Sequence, residues 1–323
     1  MATRRPRPSP RVRASRDSAR RSGVVSFPRI DPAVPILAKP SPNETDLPSI
    51  ATQSHNEPFH MTAGLAARLD RISTHDRYLI VPMDHGITMG AVKGLVDIES
   101  TIDGVTRGGA DAVLTQKGIA PRVHPNKNDA GYIVHVNAST TIGPDENDKR
   151  VTATAEEAVR AGADAVSFHI NVGSDHEPEQ IEELAELTDD ASRLGVPVLA
   201  MAYARGPGVD STDPEALGHA VRLAEEVGAD VVKTGYSGDG DTFTRVTEST
   251  RLPVVIAGGS KGTDRETAEM VRGAMDGGAA GVSMGRSIFQ HDDPEGIART
   301  VSAIIHDDAD VDAALQAGGF SDA

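Results

Sequence analysis

The chain has no cysteine, and only 3% of its 323 residues are aromatic. The absence of thiols excludes disulfides, thiolate metal sites and a cysteine nucleophile. With so few rings, a core must be filled by Val, Ile, Leu and Ala, and a hydrophobic share of 38% is enough to build one. No uninterrupted apolar stretch approaches the length of a membrane span. Basic residues are few as well: 32 Lys+Arg stand against 48 Asp+Glu, a net charge of −16. Residues 1–60 hold 10 Lys+Arg and 5 Asp+Glu, whereas residues 61–323 hold 22 and 43. An acidic body disfavours nucleic acid as a partner. It also suits a salt-rich cytoplasm, so the expected setting is cytoplasmic and the expected source halophilic.

What residues 1–60 do contain is Arg, Ser and half of the 20 prolines. They lack apolar periodicity and read as a disordered basic extension. A targeting segment or a nucleic-acid-binding arm are the functional readings, and a tail without function is the plain one. Arg4-Arg5 invites a twin-arginine export reading, but no apolar region follows it. Met61 directly precedes a helix start at Thr62-Ala-Gly-Leu-Ala-Ala-Arg-Leu69. The expected division is an extension over 1–60, with Met61 as the natural initiator, and one folded domain over 61–323.

From Arg77 onward, short β-runs alternate with helix-sized segments. The candidate strands are Tyr78–Met83, Ala112–Gln116, Tyr132–Val136, Ala165–Ile170, Val198–Ala202, Asp230–Val232, Pro253–Ala257 and Gly281–Met284. Between them lie helical patterns such as Pro178–Leu194, Pro214–Val227 and Asp264–Gly277. Asp213-Pro214 and Asp293-Pro294 set an N-cap before a first-turn proline. Gly109-Ala-Asp111, Gly162-Ala-Asp164, Gly228-Ala-Asp230 and Gly278-Ala-Ala280 each turn a helix end into a strand. Alternation and rhythm predict an α/β fold, a TIM (β/α)8 barrel. A doubly wound sheet would usually carry an early G-x-G-x-x-G, and none follows the first strand.

Barrel active sites lie at the C-terminal ends of the strands. There the sequence places Asp84-His85 after strand 1, Lys117 after strand 2 and His169-Ile-Asn171 on strand 4. Tyr203-Ala-Arg205 follows strand 5 and Lys233 follows strand 6. A lysine closing a buried strand needs solvent, a partner or a chemical task. In a pocket its neutral amine would attack a ketone and form a Schiff base; otherwise it simply reaches into water. Asp84 would serve as a base or stabilise an iminium, or merely cap a helix. Gly258-Gly259 after strand 7 and Gly285-Arg286 after strand 8 form the phosphate turns of this fold, where glycine N–H groups and a guanidinium meet an anion. Simple turn glycine is the plainer account. None of the 11 histidines forms H-x-H or H-E-x-x-H, so no metal and no cofactor is expected, and His85 and His169 read as polar lining.

These residues and their surroundings resemble the archaeal-type class I aldolases. The carrying motifs are Val81-Pro-Met-Asp-His-Gly86 with Lys93-Gly-Leu95, Ser167-Phe-His-Ile-Asn-Val-Gly-Ser174, Tyr203-Ala-Arg-Gly206 and Asp230-Val-Val-Lys-Thr234. Ala257-Gly-Gly259 and Gly285-Arg286 with Phe289-Gln-His-Asp-Asp293 complete them. The resemblance runs from about Leu65 to about Leu315. It implies a Schiff base on Lys233, with Tyr203 as proton donor and Asp84 as proton acceptor. It also implies that Asp84, His85, Gly86, Ile87, Thr88, Tyr203, Ala204 and Arg205 contact a phosphorylated sugar, and that Gly258, Gly259, Gly285 and Arg286 hold its end.

The branch matched best cleaves a 6-deoxy-5-ketohexose 1-phosphate and passes three carbons to L-aspartate semialdehyde, on an alternative route to 3-dehydroquinate and aromatic amino acids. A homo-oligomer is implied as well. Ala91 and Ala204 stand where the family often has proline, which reshapes a loop and loosens the backbone beside Tyr203 without removing a reacting group. Class I fructose-1,6-bisphosphate aldolase shares the lysine, tyrosine and phosphate turns. Ile87-Thr-Met-Gly90, Lys93-Gly-Leu95 and Gln290-His-Asp-Asp293 separate the two. From another class, a non-catalytic sugar-phosphate sensor remains, although a sensor need not keep Lys233, Tyr203 and Asp84 together.

Overall fold

Eight parallel strands follow one another around a closed ring in chain order. They are Tyr78–Pro82 (β1), Ala112–Gln116 (β2), Gly131–His135 (β3), Ala165–Val172 (β4), Val198–Ala204 (β5), Val231–Thr234 (β6), Val254–Ala257 (β7) and Gly281–Ser283 (β8). The ring closes where Tyr78 of β1 stands opposite Gly281 of β8. The computed structural model describes residues 62–259 and 262–320. The expectations for residues 1–60 and for Met61 lie outside these. Every expected strand is present, and the fold is the (β/α)8 barrel.

Strand side chains alternate between two faces, so parity decides which core each residue joins. Ile80, Leu114, Ile133, Leu199, Val231 and Val255 fill the barrel interior. Leu79, Val81, Val113, Val134, Phe168 and Val232 belong to the outer core beneath the helices. Leu69 and Ile72, from the helix Ala63–Leu69 and the turn after it, join the inner cluster. No helix among the described residues is long and apolar enough to cross a membrane.

The Gly-Ala-Asp phrase is a clasp. Gly109, Gly162, Gly228 and Gly278 all take positive φ, between 83° and 99°, which glycine adopts without a Cβ clash. Each following Asp then reaches back to the strand before. Asp111 accepts from the Leu79 N–H at 2.6 Å, Asp164 from Tyr132 at 2.9 Å and Asp230 from Val198 at 2.8 Å. The spacing is 32 residues in all three, so the repeat sets the register of one αβ unit against the next. Ala280, without a carboxylate, keeps the backbone bonds to the Val254 carbonyl and from the Tyr78 N–H but makes no such clasp.

The helices begin as the caps dictate. Asp213 accepts from the Ala216 N–H before Pro214–Val227, and Asp293 from Gly296 before Pro294–His306, each contributing about 1 kcal/mol. One element has no counterpart in the expected pattern. After β3, Asn137–Ala138 pairs antiparallel with Arg150–Val151, and the loop of this ribbon carries Lys149.

Candidate active site

A cavity of about 630 Å³ opens at the C-terminal ends of the strands. Lys233 on β6 shares the parity of Val231 and therefore points inward. It is 6% exposed and stands in register with Met201 on β5 and Val255 on β7. Among the described residues its Nζ takes part in no hydrogen bond or ion pair. Its charge is felt by Asp84, His85 and His135, and it lines the cavity.

Asp84 follows β1 and precedes the short helix His85–Met89, but its side chain does not cap that helix. The carboxylate instead faces His85 Nδ1 at 3.5 Å and His135 Nε2 at 3.8 Å. Burial works against its charge, but His135, His85 and Lys233 more than offset this and hold its pKa below the ordinary carboxylate value. Asp84 is thus an anion able to take a proton from a substrate.

The histidines around it are neutral. Burial pushes His135 down to about 4, with Lys149 and Lys233 acting the same way and Asp84 opposing. Burial, then Lys149 and Arg205, lowers His169 well below its ordinary value. His135 Nδ1 meets Ser167 Oγ at 2.8 Å, and His169 Nε2 meets Asn171 Oδ1 at 2.8 Å. Asn137 clamps the His169 backbone from both sides, accepting from its N–H at 2.9 Å and donating to its carbonyl at 2.8 Å.

Tyr203 on β5 packs against His169 and Arg205. The His169 ring centre lies 5.0 Å from its own, and the Arg205 guanidinium carbon lies 4.4 Å from it. Rings and cation together fix the direction in which the phenol points. Gly258, Gly259, Gly285 and Arg286 line the cavity near the ends of β7 and β8. Gly285 is required sterically: a Cβ there would lie 2.6 Å from His85 Cε1 and 2.7 Å from the Pro82 carbonyl oxygen.

Of the expected site residues, Lys233, Tyr203, Asp84, His85, Ile87, Thr88, Arg205 and His169 line this cavity with the phosphate turns. Gly86 and Ala204 are not in the lining. Gly86 sits within the short helix, and Ala204 alternates outward to 2% exposure in the outer core. Lys117 turns away in a 3₁₀ turn and pairs with Glu157 at 2.8 Å. The lining also includes His135, Asn137, Lys149 and Ser283. Strand parity flags His135 and Ser283, since each shares the inward face of its strand. No such signal marks Lys149. Among the described residues, no three His, Asp or Glu side chains are grouped as a metal site would need.

Two motifs distant in sequence meet beside the mouth. Lys93 pairs with Asp292. Gly94, at φ 82°, packs so closely on Phe289 that an added Cβ would overlap its carbonyl. Lys93-Gly-Leu95 and Gln290-His-Asp-Asp293 thus form one unit that braces the loop after β1 against the turn after β8.

Comparison with known proteins places this geometry. The chain is 69% identical over 258 residues to the 2-amino-3,7-dideoxy-D-threo-hept-6-ulosonate synthase of Halobacterium salinarum, covering 80% of this chain and 97% of that one. It is 34% identical over 252 residues to the class 1 fructose-bisphosphate aldolase of the same organism, covering 76% and 96%. Among solved structures, it resembles an archaeal fructose-1,6-bisphosphate aldolase whose catalytic lysine is bound covalently to a carbinolamine intermediate. The TM-score is 0.68 at 30% identity, over 75% of this chain and 99% of that one. The DeoC/LacD family aldolase model matches residues 78–291. That stretch runs from the first residue of β1 past the end of β8, and the chain belongs to the DeoC/LacD family of aldolases.

Proposed function

We propose that this chain is a Schiff-base transaldolase. It takes a three-carbon unit from 6-deoxy-5-ketofructose 1-phosphate and passes it to L-aspartate semialdehyde. The product is 2-amino-3,7-dideoxy-D-threo-hept-6-ulosonate, an early intermediate toward 3-dehydroquinate and aromatic amino acids. The observation that carries the chemistry is Lys233: an inward, buried amine, in no hydrogen bond or ion pair among the described residues, lining a cavity that also holds the Asp84 carboxylate and the Tyr203 phenol.

The amine adds to a substrate ketone and expels water, leaving a protonated imine as the electron sink. The adjacent carbon–carbon bond then breaks toward the imine, and the hydroxyl on the departing carbon gives up its proton. Asp84 and Tyr203 are the groups in reach for this proton traffic. The phosphorylated fragment leaves as an aldehyde, because the product keeps no phosphate. The enamine left on Lys233 attacks the aldehyde carbon of the acceptor, and the new alkoxide takes a proton. Water then cleaves the imine and frees the lysine. The glycine turns and Arg286 hold the phosphate until cleavage, which fixes the ketone near the amine and lowers the entropic part of the barrier.

The choice of substrate rests on relatives. Identity is 69% to the synthase and 34% to the fructose-bisphosphate aldolase of one organism. Purified protein in high salt is offered each donor with and without L-aspartate semialdehyde, and the products are read by mass spectrometry. The seven-carbon amino acid, formed only from the deoxyketo sugar with the semialdehyde present, is the expected result. Efficient cleavage of fructose 1,6-bisphosphate would replace this reading with the aldolase. Binding of either sugar without turnover would leave a sensor. The assembly we propose is a homo-oligomer in the cytoplasm, checked by light scattering and fractionation.

A further inference from the structure

Lys149 has no task in the reaction just described. It is 8% exposed and lines the cavity. Its Nζ donates to Ser139 Oγ at 2.7 Å, and that hydroxyl donates to the Glu146 carbonyl at 2.7 Å. Among the described residues it is in no ion pair. An ammonium has three donors, so two lack a protein partner. A buried charge left this way costs free energy unless a ligand supplies the anion. Burial, then Arg205, lowers its pKa, while Asp84 and Glu146 act in the opposite sense.

Its place in the ring matters. The ribbon that carries it links β3 to β4, whereas the glycine turns adjoin β7 and β8, about half the ring away. Two cationic corners thus share one cavity, Arg286 at the phosphate turns and Lys149 near Arg205. Once the phosphorylated fragment has gone, the second substrate arrives with a carboxylate instead of a phosphate. Glu146, which also lines the cavity, adds a negative charge beside the lysine.

We propose that Lys149 binds the α-carboxylate of the acceptor, a short α-amino acid bearing an aldehyde, and that Glu146 faces the acceptor's ammonium group. This subsite rests on the transaldolase reading and adds the residues that select its second substrate. It gives the acceptor a seat separate from the phosphate's.

The test compares wild-type full-length protein with Lys149→Met and Lys149→Arg. Each enzyme is given the deoxyketo sugar with L-aspartate semialdehyde, or with propanal, which has neither carboxylate nor ammonium. A lost charge-assisted hydrogen bond is worth about 10- to 100-fold. Lys149→Met should therefore raise KM for the semialdehyde by at least about 10-fold, and Lys149→Arg should recover part of this. KM for the sugar, kcat/KM for propanal and borohydride trapping of the sugar should stay within about twofold of wild type. A rise in KM for the sugar with none for the semialdehyde would assign Lys149 to the phosphate and overturn the subsite. So would equal losses with propanal and the semialdehyde, or loss of trapping, which mark a structural role. Failure of the wild-type enzyme to transfer to the semialdehyde removes the functional reading and the subsite with it. Unchanged kinetics in an active Lys149→Met enzyme removes the subsite alone.

Discussion

Lys233 and Tyr203 rise from the same inner face of neighbouring strands, one pleat apart. Met201 is the register partner of Lys233, and Tyr203 follows two residues later on β5. The backbone of Lys233 therefore lies one layer below that of Tyr203, and both side chains line the same cavity. Asp84, which follows β1, is close enough to Lys233 to feel its charge.

Tyr203→Phe keeps the ring against His169 and Arg205 and removes only the hydroxyl. Loss of a positioned proton donor costs about 10²- to 10⁴-fold. The expected outcome is a fall of that size in kcat with little change in KM for the sugar and continued trapping of the imine. Steady-state kinetics beside borohydride trapping checks this. Unchanged kcat would remove Tyr203 from the chemistry.

His135 makes stability depend on pH. Its pKa is about 4 in the folded chain, against an ordinary value of 6.5. Above about pH 6.5 both states are neutral and nothing is lost. As pH falls from there toward 4, the unfolded chain takes up a proton that the folded chain refuses, and stability falls by roughly 3 kcal/mol in all. His85 and His169, also lowered, act in the same sense. Denaturant midpoints between pH 7 and pH 4.5 should drop less in His135→Gln than in wild type. Equal drops would contradict the assignment.

The barrel was legible because its signals are local. Runs of Val, Ile and Leu mark the strands, and the Gly-Ala-Asp phrase marks the entries to β2, β4 and β6. Strand ends were less so. β5 runs to Ala204 and β6 through Thr234, so Lys233 lies within its strand, where parity aims it inward. Parity also turns Ala204 outward, against the expectation that it meets substrate. The strands of the ribbon, two residues each, are too short to carry periodicity. Lys149 was hidden for that reason: only the folded loop brings it into the cavity.

Asp230 couples the fold to the site, since it clasps Val198 three residues before Lys233. Asp230→Ala leaves the Val198 N–H without its carboxylate. The cost should be about 1–3 kcal/mol, seen as a lower melting temperature by several degrees. Trapping at low temperature should persist, because no reacting group is touched. An unchanged melting temperature would show that the clasp contributes nothing.

Gly285→Ala tests the close approach of β8 to the loop after β1. The new methyl would collide with His85 and the Pro82 carbonyl, so the turn must shift. A rise of about 10-fold or more in KM for the phosphosugar is expected, from roughly 1–3 kcal/mol of strain at the phosphate turn. Wild-type KM in this variant would show that the turn does not hold the phosphate.

The most direct test of the Schiff-base account is borohydride reduction in the presence of 6-deoxy-5-ketofructose 1-phosphate, followed by peptide mapping. The predicted result is one reduced sugar adduct on the peptide that contains Lys233, absent from Lys233→Ala. Lys149 is the informative rival, because it is a second buried amine lining the same cavity, and burial lowers its pKa. An adduct on Lys149, or no adduct at all in high salt, would contradict the assignment of Lys233 as the amine that carries the substrate.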